Sequence, residues 1–176
     1  MEAGFDVALV VSQPDRRRGR GGATSPSPVK AAARELGLPV TERTTDVTGV
    51  GADLGVVVAY GRLIKPPVLA VLPFVNLHFS LLPRWRGAAP VERALLAGDT
   101  ETGVCLMQLE EGLDTGPVFA REVVPIGPEQ TADELRDELV SVGSRLLVSQ
   151  LVAGLGEPVP QQGEVTSAAK IDPAEL

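Results

Sequence analysis

Cysteine and histidine are almost missing from this chain. Cys105 is the only cysteine and His78 the only histidine in 176 residues. One thiol excludes an intramolecular disulfide framework and a cysteine-based metal cluster, and one imidazole excludes a multi-histidine metal site. Aromatic residues make up 3%, so the core has to be built from Val, Leu, Ala and Ile. Apolar runs such as Val56 to Tyr60 are far shorter than the roughly 20 residues that span a bilayer. Met1 is followed by Glu2 and a mixed stretch, without the pattern of a secretory signal. There is no internal repeat and no low-complexity tract.

What is present is ordinary in bulk and uneven in detail. The length suits one domain rather than two. The apolar share of 44% and charged share of 22% are those of a soluble globular protein. A net charge of −7 argues on its face against a nucleic-acid partner. Residues 1–100, however, hold 12 Lys and Arg against 9 Asp and Glu, while residues 101–176 hold 4 against 14. Such asymmetry can mark a side that faces a polyanion.

Along the chain, Asp6 to Val11 and Leu54 to Tyr60 read as short buried strands, β-branched and almost wholly apolar. Ser12-Gln13-Pro14-Asp15 is turn chemistry, and Arg16 to Gly22 is basic, glycine-rich and expected as an exposed, mobile loop. Ser27-Pro28 starts a helix that Gly37 stops. Helices are also expected over Pro66 to Leu72 and Pro90 to Ala97, and strands at Val75 to His78, Thr102 to Leu109 and Val118 to Val124. Thr131 to Glu134 is a capping box, and Leu135, Leu139, Val142 and Leu146 form one apolar face of the following helix, ended by Gly154. Glu157 to Gly163 reads as a linker. All-apolar strands alternating with helices predict an α/β fold with a mostly parallel sheet, Rossmann-like and flanked by helices. Ligands then belong beyond the carboxyl ends of the strands.

The residues there carry chemistry. Asn76, His78 and Ser80 alternate along an extended segment and can share a face. Asp114 sits between Gly112 and Gly116, in a tight loop presenting a carboxylate. An Asn amide can stabilise charge on a carbonyl oxygen, and His can move a proton near neutral pH. A carboxylate beside it favours the imidazolium. Nothing resembles a serine nucleophile elbow. The set therefore suits direct attack by a substrate amine on a bound acyl donor. Each part also has a structural reading: a strand-end histidine, a turn aspartate, a solvated arginine loop, and Trp85 as a packing anchor.

The segment Asn76-Leu77-His78-Phe79-Ser80-Leu81-Leu82-Pro83-Arg84-Trp85-Arg86-Gly87-Ala88-Ala89-Pro90 closely resembles the signature of the methionyl-tRNA formyltransferase family. Gly98 to Val104, Glu111 to Gly116, Gln13 to Gly21 and Pro26 to Lys30 resemble further blocks of it, so the resemblance covers nearly the whole chain. It implies a formyltransferase catalytic domain over residues 1–155 and the start of a linker over 156–176. It implies a catalytic trio of Asn76, His78 and Asp114, and tetrahydrofolate held by Ser80, Leu81, Leu82 and Pro83. It implies contact of Arg16, Arg17, Arg18 and Arg20 with initiator tRNA. The expected reaction moves the formyl group of 10-formyltetrahydrofolate to the α-amino group of methionyl-tRNA, in the cytoplasm, without a metal, a membrane or an obligate protein partner.

Three features depart from that family's pattern. Its opening strand, Gly-Thr-Pro turn and helix are expected to be missing from this chain, with Met1 to Asp6 resembling the end of that helix. Its C-terminal β-barrel is expected to be missing as well, the chain stopping within what resembles the linker. Phe79 stands where Gly or Ala is usual, so its ring is expected to crowd the donor site or repack a neighbouring strand. Two other functions compete: another folate-dependent formyl transfer or hydrolysis, such as phosphoribosylglycinamide formyltransfer, and an inactive remnant that binds folate or RNA.

Overall fold

The computed structural model of the chain describes residues 3–17 and 24–175. They fall into two compact units: Met1–Gly55 with Ile64–Leu72, and Val56–Leu63 with Pro73–Leu176.

In the first unit, β1 (Val10–Val11) pairs in parallel with β4 (Val40–Thr41). The strand expected over Asp6 to Val11 is paired only at its end, because its partner offers just two residues. Between them, β2 (Arg16–Arg17) and β3 (Thr24–Ser25) form an antiparallel ribbon. The basic stretch expected as a loop thus begins on a paired strand, and Arg18 and Arg20 lie outside the described residues. Helix α1 (Pro28–Glu35) starts as its sequence requires, with the Ser27 hydroxyl accepting from the Lys30 amide and Pro28 in the first turn. The Ser12 and Ser27 hydroxyls share a 2.5 Å hydrogen bond that ties the end of β1 to this cap. A single turn, α2 (Pro66–Leu69), meets the 3-10 turn Thr44–Gly49.

The second unit carries a four-stranded sheet in the order β5 (Gly55–Val58), β6 (Phe74–His78), β8 (Glu101–Gln108), β9 (Val118–Pro125). A two-residue strand, β7 (Arg86–Gly87), and helix α3 (Pro90–Leu96) lie between β6 and β8 in sequence. The α/β class stands, but β6, β8 and β9 run antiparallel, so the sheets are mixed rather than mostly parallel. The reason is burial. Every residue of β6 and Thr102 to Met107 of β8 are covered on both faces, which yields continuous apolar runs whatever the strand direction.

Helix α4 (Ala132–Ala153) packs over β8 and β9. Its capping box is formed by Thr131 and Glu134, and Leu135 and Leu139 are fully buried. Truncating either leucine to alanine costs about 2–5 kcal/mol by the usual cavity penalty. Gly143 continues that face: a Cβ there would lie 3.3 Å from Val104 Cγ1. Beyond Gly154 the chain does not hang free. Val159 exchanges two backbone hydrogen bonds of 2.8 Å with Val118, and β10 (Ser167–Ala168) pairs in parallel with β7. The stretch read as a linker is docked along this unit.

Candidate active site

Strand β6 sets the site. Asn76 and His78 project to one face, opposite Met107 and Cys105 of β8 in register. Leu77 and Phe79 project to the other face. An ideal Cβ on Gly143 of α4 would sit 3.7 Å from Leu77 Cδ1 and 3.5 Å from the Phe79 ring. The ring expected to crowd the donor site is therefore taken up against α4, where a glycine leaves it room.

The turn after β6 is locked by its own polar groups. The Ser80 hydroxyl donates to the Arg84 carbonyl at 2.5 Å. The Arg84 guanidinium forks onto Asp99, at 2.9 and 2.6 Å, and lies 4.5 Å above the Trp85 ring. The Trp85 indole N–H donates to the same carboxylate at 2.8 Å. The Arg84 guanidinium holds the Asp99 carboxyl below the usual carboxylate range, against the opposing effect of burial. Trp85 itself has φ 63°, a left-handed conformation that is costly for a bulky residue. That strain is fixed by its amide, which donates to Thr166 Oγ1 at 2.8 Å, and it aims the Trp85 carbonyl at His78 Nε2, 2.8 Å away.

Asp114 approaches the imidazole from the loop after β8. It too is left-handed, at φ 51°. Gly116 permits the close return of this loop, because a Cβ there would collide with the Gln108 carbonyl. Asp114 Oδ2 accepts from the Gly87 amide at 2.8 Å and lies 3.6 Å from His78 Nδ1. That is too long for a hydrogen bond but well within range for a charge interaction. His78 Nε2 is hydrogen-bonded to the Trp85 carbonyl, while Nδ1 faces the Asp114 carboxylate without a hydrogen bond. Asn76, His78 and Asp114 are 8%, 5% and 8% exposed, so charge forming among them is poorly screened. The Asn76 side-chain amide makes no hydrogen bond among the described residues and is free to donate to a ligand. Cys105, fully buried opposite His78, is no rival nucleophile, since burial pushes its thiol up.

The structure therefore brings Asn76, His78 and Asp114 together. It treats the other expected residues differently. Ser80 is spent on Arg84, and Leu82 is buried against Cys105, Met107 and Val118. Of the turn 80–83, Leu81 is half-buried and lines a cavity of about 200 Å³ with Arg84, Trp85, Asp99 and residues 100–102. None of the trio lines that cavity. Arg16 is exposed on the ribbon of the first unit. Among the described residues no group of His, Cys, Asp and Glu could hold a metal ion, and no helix is long and apolar enough to cross a membrane. Sequence reasoning missed Asp99, Gln161 and Thr166. Gln161 and Thr166 support loops that precede them by dozens of residues, and no spacing rule reaches that far.

Residues 2–151 match the family model described as formyl transferase. The chain belongs to the formyl transferase family. It is 49% identical over 189 residues to methionyl-tRNA formyltransferase of Symbiobacterium thermophilum, covering 99% of this chain and 58% of that protein. It is 52% identical over 188 residues to methionyl-tRNA formyltransferase of Roseobacter denitrificans, covering 98% and 61%. The chain thus spans about three fifths of the length of these curated relatives. Among solved structures, phosphoribosylglycinamide formyltransferase from Bacillus halodurans superposes with a TM-score of 0.73 at 27% identity, over 85% of this chain and 81% of that one. For a formyl transferase the arrangement is chemically apt: an amide without a hydrogen-bond partner among the described residues and an imidazole on one strand face, with a carboxylate behind the ring.

Proposed function

We propose that the chain moves a formyl group from 10-formyltetrahydrofolate to the α-amino group of methionyl-initiator tRNA, in the cytoplasm, at the start of translation. The observation that carries the reading is the convergence of the free Asn76 amide, His78 and Asp114 on one buried face. The donor set fits a formyl carbonyl, which needs hydrogen-bond donors and no metal. A bound 10-formyltetrahydrofolate supplies an activated formyl carbon. Because Ser80 and Leu82 are turned inward, the turn 80–83 meets such a ligand through its backbone and Leu81.

Asn76 donates to the formyl oxygen as the amine adds to the carbon. A doubly protonated His78 supports the same developing charge. Asp114 balances the imidazolium through its 3.6 Å approach and takes part in moving the proton that the amine loses to the folate nitrogen, which takes it up as its bond to the formyl carbon breaks. On the first unit, Arg16 and Arg17 open a basic ribbon suited to tRNA phosphates, with Arg18 and Arg20 next along the chain. In a formylation assay on charged initiator tRNA, His78→Ala is expected to lower kcat by about 10²–10³. Near-normal turnover would remove His78 from the chemistry.

Formyl transfer to a small phosphorylated amine is the second reading, favoured by the phosphoribosylglycinamide formyltransferase likeness. It gives the arginine ribbon nothing to do. A rate that falls steeply with salt on tRNA separates the two.

A further inference from the structure

The segment that follows α4 is bonded to both stretches that face the His78 ring, the one at Trp85–Gly87 and the Asp114 loop. Thr166 fixes the Trp85 amide, and Ala168 pairs with Gly87, whose own amide holds Asp114. Gln161 does the most. Its Nε2 donates to the Asp114 carbonyl and to the Gly116 carbonyl, each at 2.8 Å. Its Oε1 accepts from Arg86 Nε at 3.0 Å and Nη2 at 2.7 Å. The amide's orientation is dictated chemically. A guanidinium can only donate, so the oxygen must face Arg86 and the NH₂ must face the two carbonyls. One side chain therefore ties β7, the strand that holds the Asp114 partner Gly87, to both sides of the Asp114 loop.

That loop needs such a tie. Asp114 is held at φ 51°, and a non-glycine residue keeps that conformation only where its surroundings fix it. Released, the carboxylate keeps only the Gly87 amide to hold it 3.6 Å from His78 Nδ1. We infer that Gln161 is the positioning residue of the Asp114 carboxylate, acting by donation to the Asp114 and Gly116 carbonyls. It does not touch the reacting atoms. The inference rests on the reading of Asp114 given above.

Three substitutions in the full chain test it, alongside Asp114→Asn. Gln161→Met keeps the shape and removes all four hydrogen bonds. Gln161→Glu keeps the acceptor for Arg86 but sets an oxygen against the two carbonyls. Gln162→Glu, one residue along and exposed, is the control. Two quantities are read: formylation kinetics, and hydrogen exchange at the Gly87 amide, which reports the Asp114 side chain without any activity.

Both Gln161 variants are expected to lose about 10- to 100-fold in kcat, the usual effect of a misplaced catalytic group, with KM for the folate changed less than about twofold. Gly87 exchange is expected to quicken in both, and Gln162→Glu to change neither quantity. A normal kcat in Gln161→Glu would overturn the inference, because contact with Arg86 alone would then suffice. Unchanged Gly87 exchange in Gln161→Met would overturn it as well. If Asp114→Asn itself turns over normally, the functional reading fails. Gly87 exchange in Gln161→Met then still decides whether Gln161 places the carboxylate.

Discussion

Two poorly exposed basic groups in this chain meet carboxylates in opposite ways. Lys30, in the first unit, has a side chain 9% exposed, and its ammonium is closed between Asp15 at 2.6 Å and Glu42 at 2.5 Å. Hydrogen bonds to those two carboxylates push its pKa up. His78, in the second unit, has a side chain 6% exposed, yet its carboxylate stands off at 3.6 Å, and among the described residues the amide of Asn76 beside it makes no hydrogen bond. The lysine cluster is satisfied. The histidine cluster keeps unused hydrogen-bonding capacity, and its partners are held by strained backbone at Trp85 and Asp114. A group that only has to stay folded closes its contacts, whereas a group that has to act on a ligand is held in place with capacity to spare.

The contrast can be broken from either side. The largest effect is expected at Asp114. Asp114→Asn keeps the shape and removes the charge behind His78, and is expected to lower kcat by about 10²–10³ with little change in Tm. A lost fold with intact specific activity would make Asp114 a second Lys30. The converse change is Lys30→Met, which leaves Asp15 and Glu42 facing each other without a cation. Its Tm is expected to fall by several degrees while kcat stays within about twofold of the parent.

The pH dependence of that loss follows from the sign of the shift. A lysine whose pKa is raised by folding adds stability that is present in full below the unfolded value of about 10.4 and is lost as pH rises through the native value. Thermal melts of parent and Lys30→Met should therefore differ by a constant amount from neutral pH to about 10 and converge above it. The smallest effect is expected at the ribbon. Replacing Arg16 and Arg17 by serine should leave both Tm and kcat near the parent and reduce the salt dependence of tRNA binding, by about 0.7–0.9 in log–log slope for each phosphate no longer neutralised. An unchanged slope would leave the ribbon without a nucleic-acid role.

The sequence showed most of this through local signals. The Ser27 and Thr131 caps, Gly37, Gly154 and the Leu135–Leu139 face are short-range patterns, and each appears where its chemistry puts it. The closeness of Asn76, His78 and Asp114 was legible in part because two of them share a strand and the third sits in a glycine-bracketed loop. Strand direction was not legible, because burial on both faces of β6 and β8 erases the alternation that marks antiparallel strands. Nor was the docking of residues 159–168, which depends on partners such as Val118 and Arg86 far away in the chain. The same blindness hid the inward turn of Ser80 and Leu82. A turn that resembles a ligand-binding segment gives no sign of which side chains its own backbone will claim.

The central claim is that His78 and Asp114 act as one unit. A double-mutant cycle on single-turnover formyl transfer tests it most directly, using His78→Ala, Asp114→Asn and the pair. If they act together, the double variant should be no more than about threefold slower than the slower single variant, since each change already disables the same element. Losses that multiply in full would contradict the account and leave two independent residues.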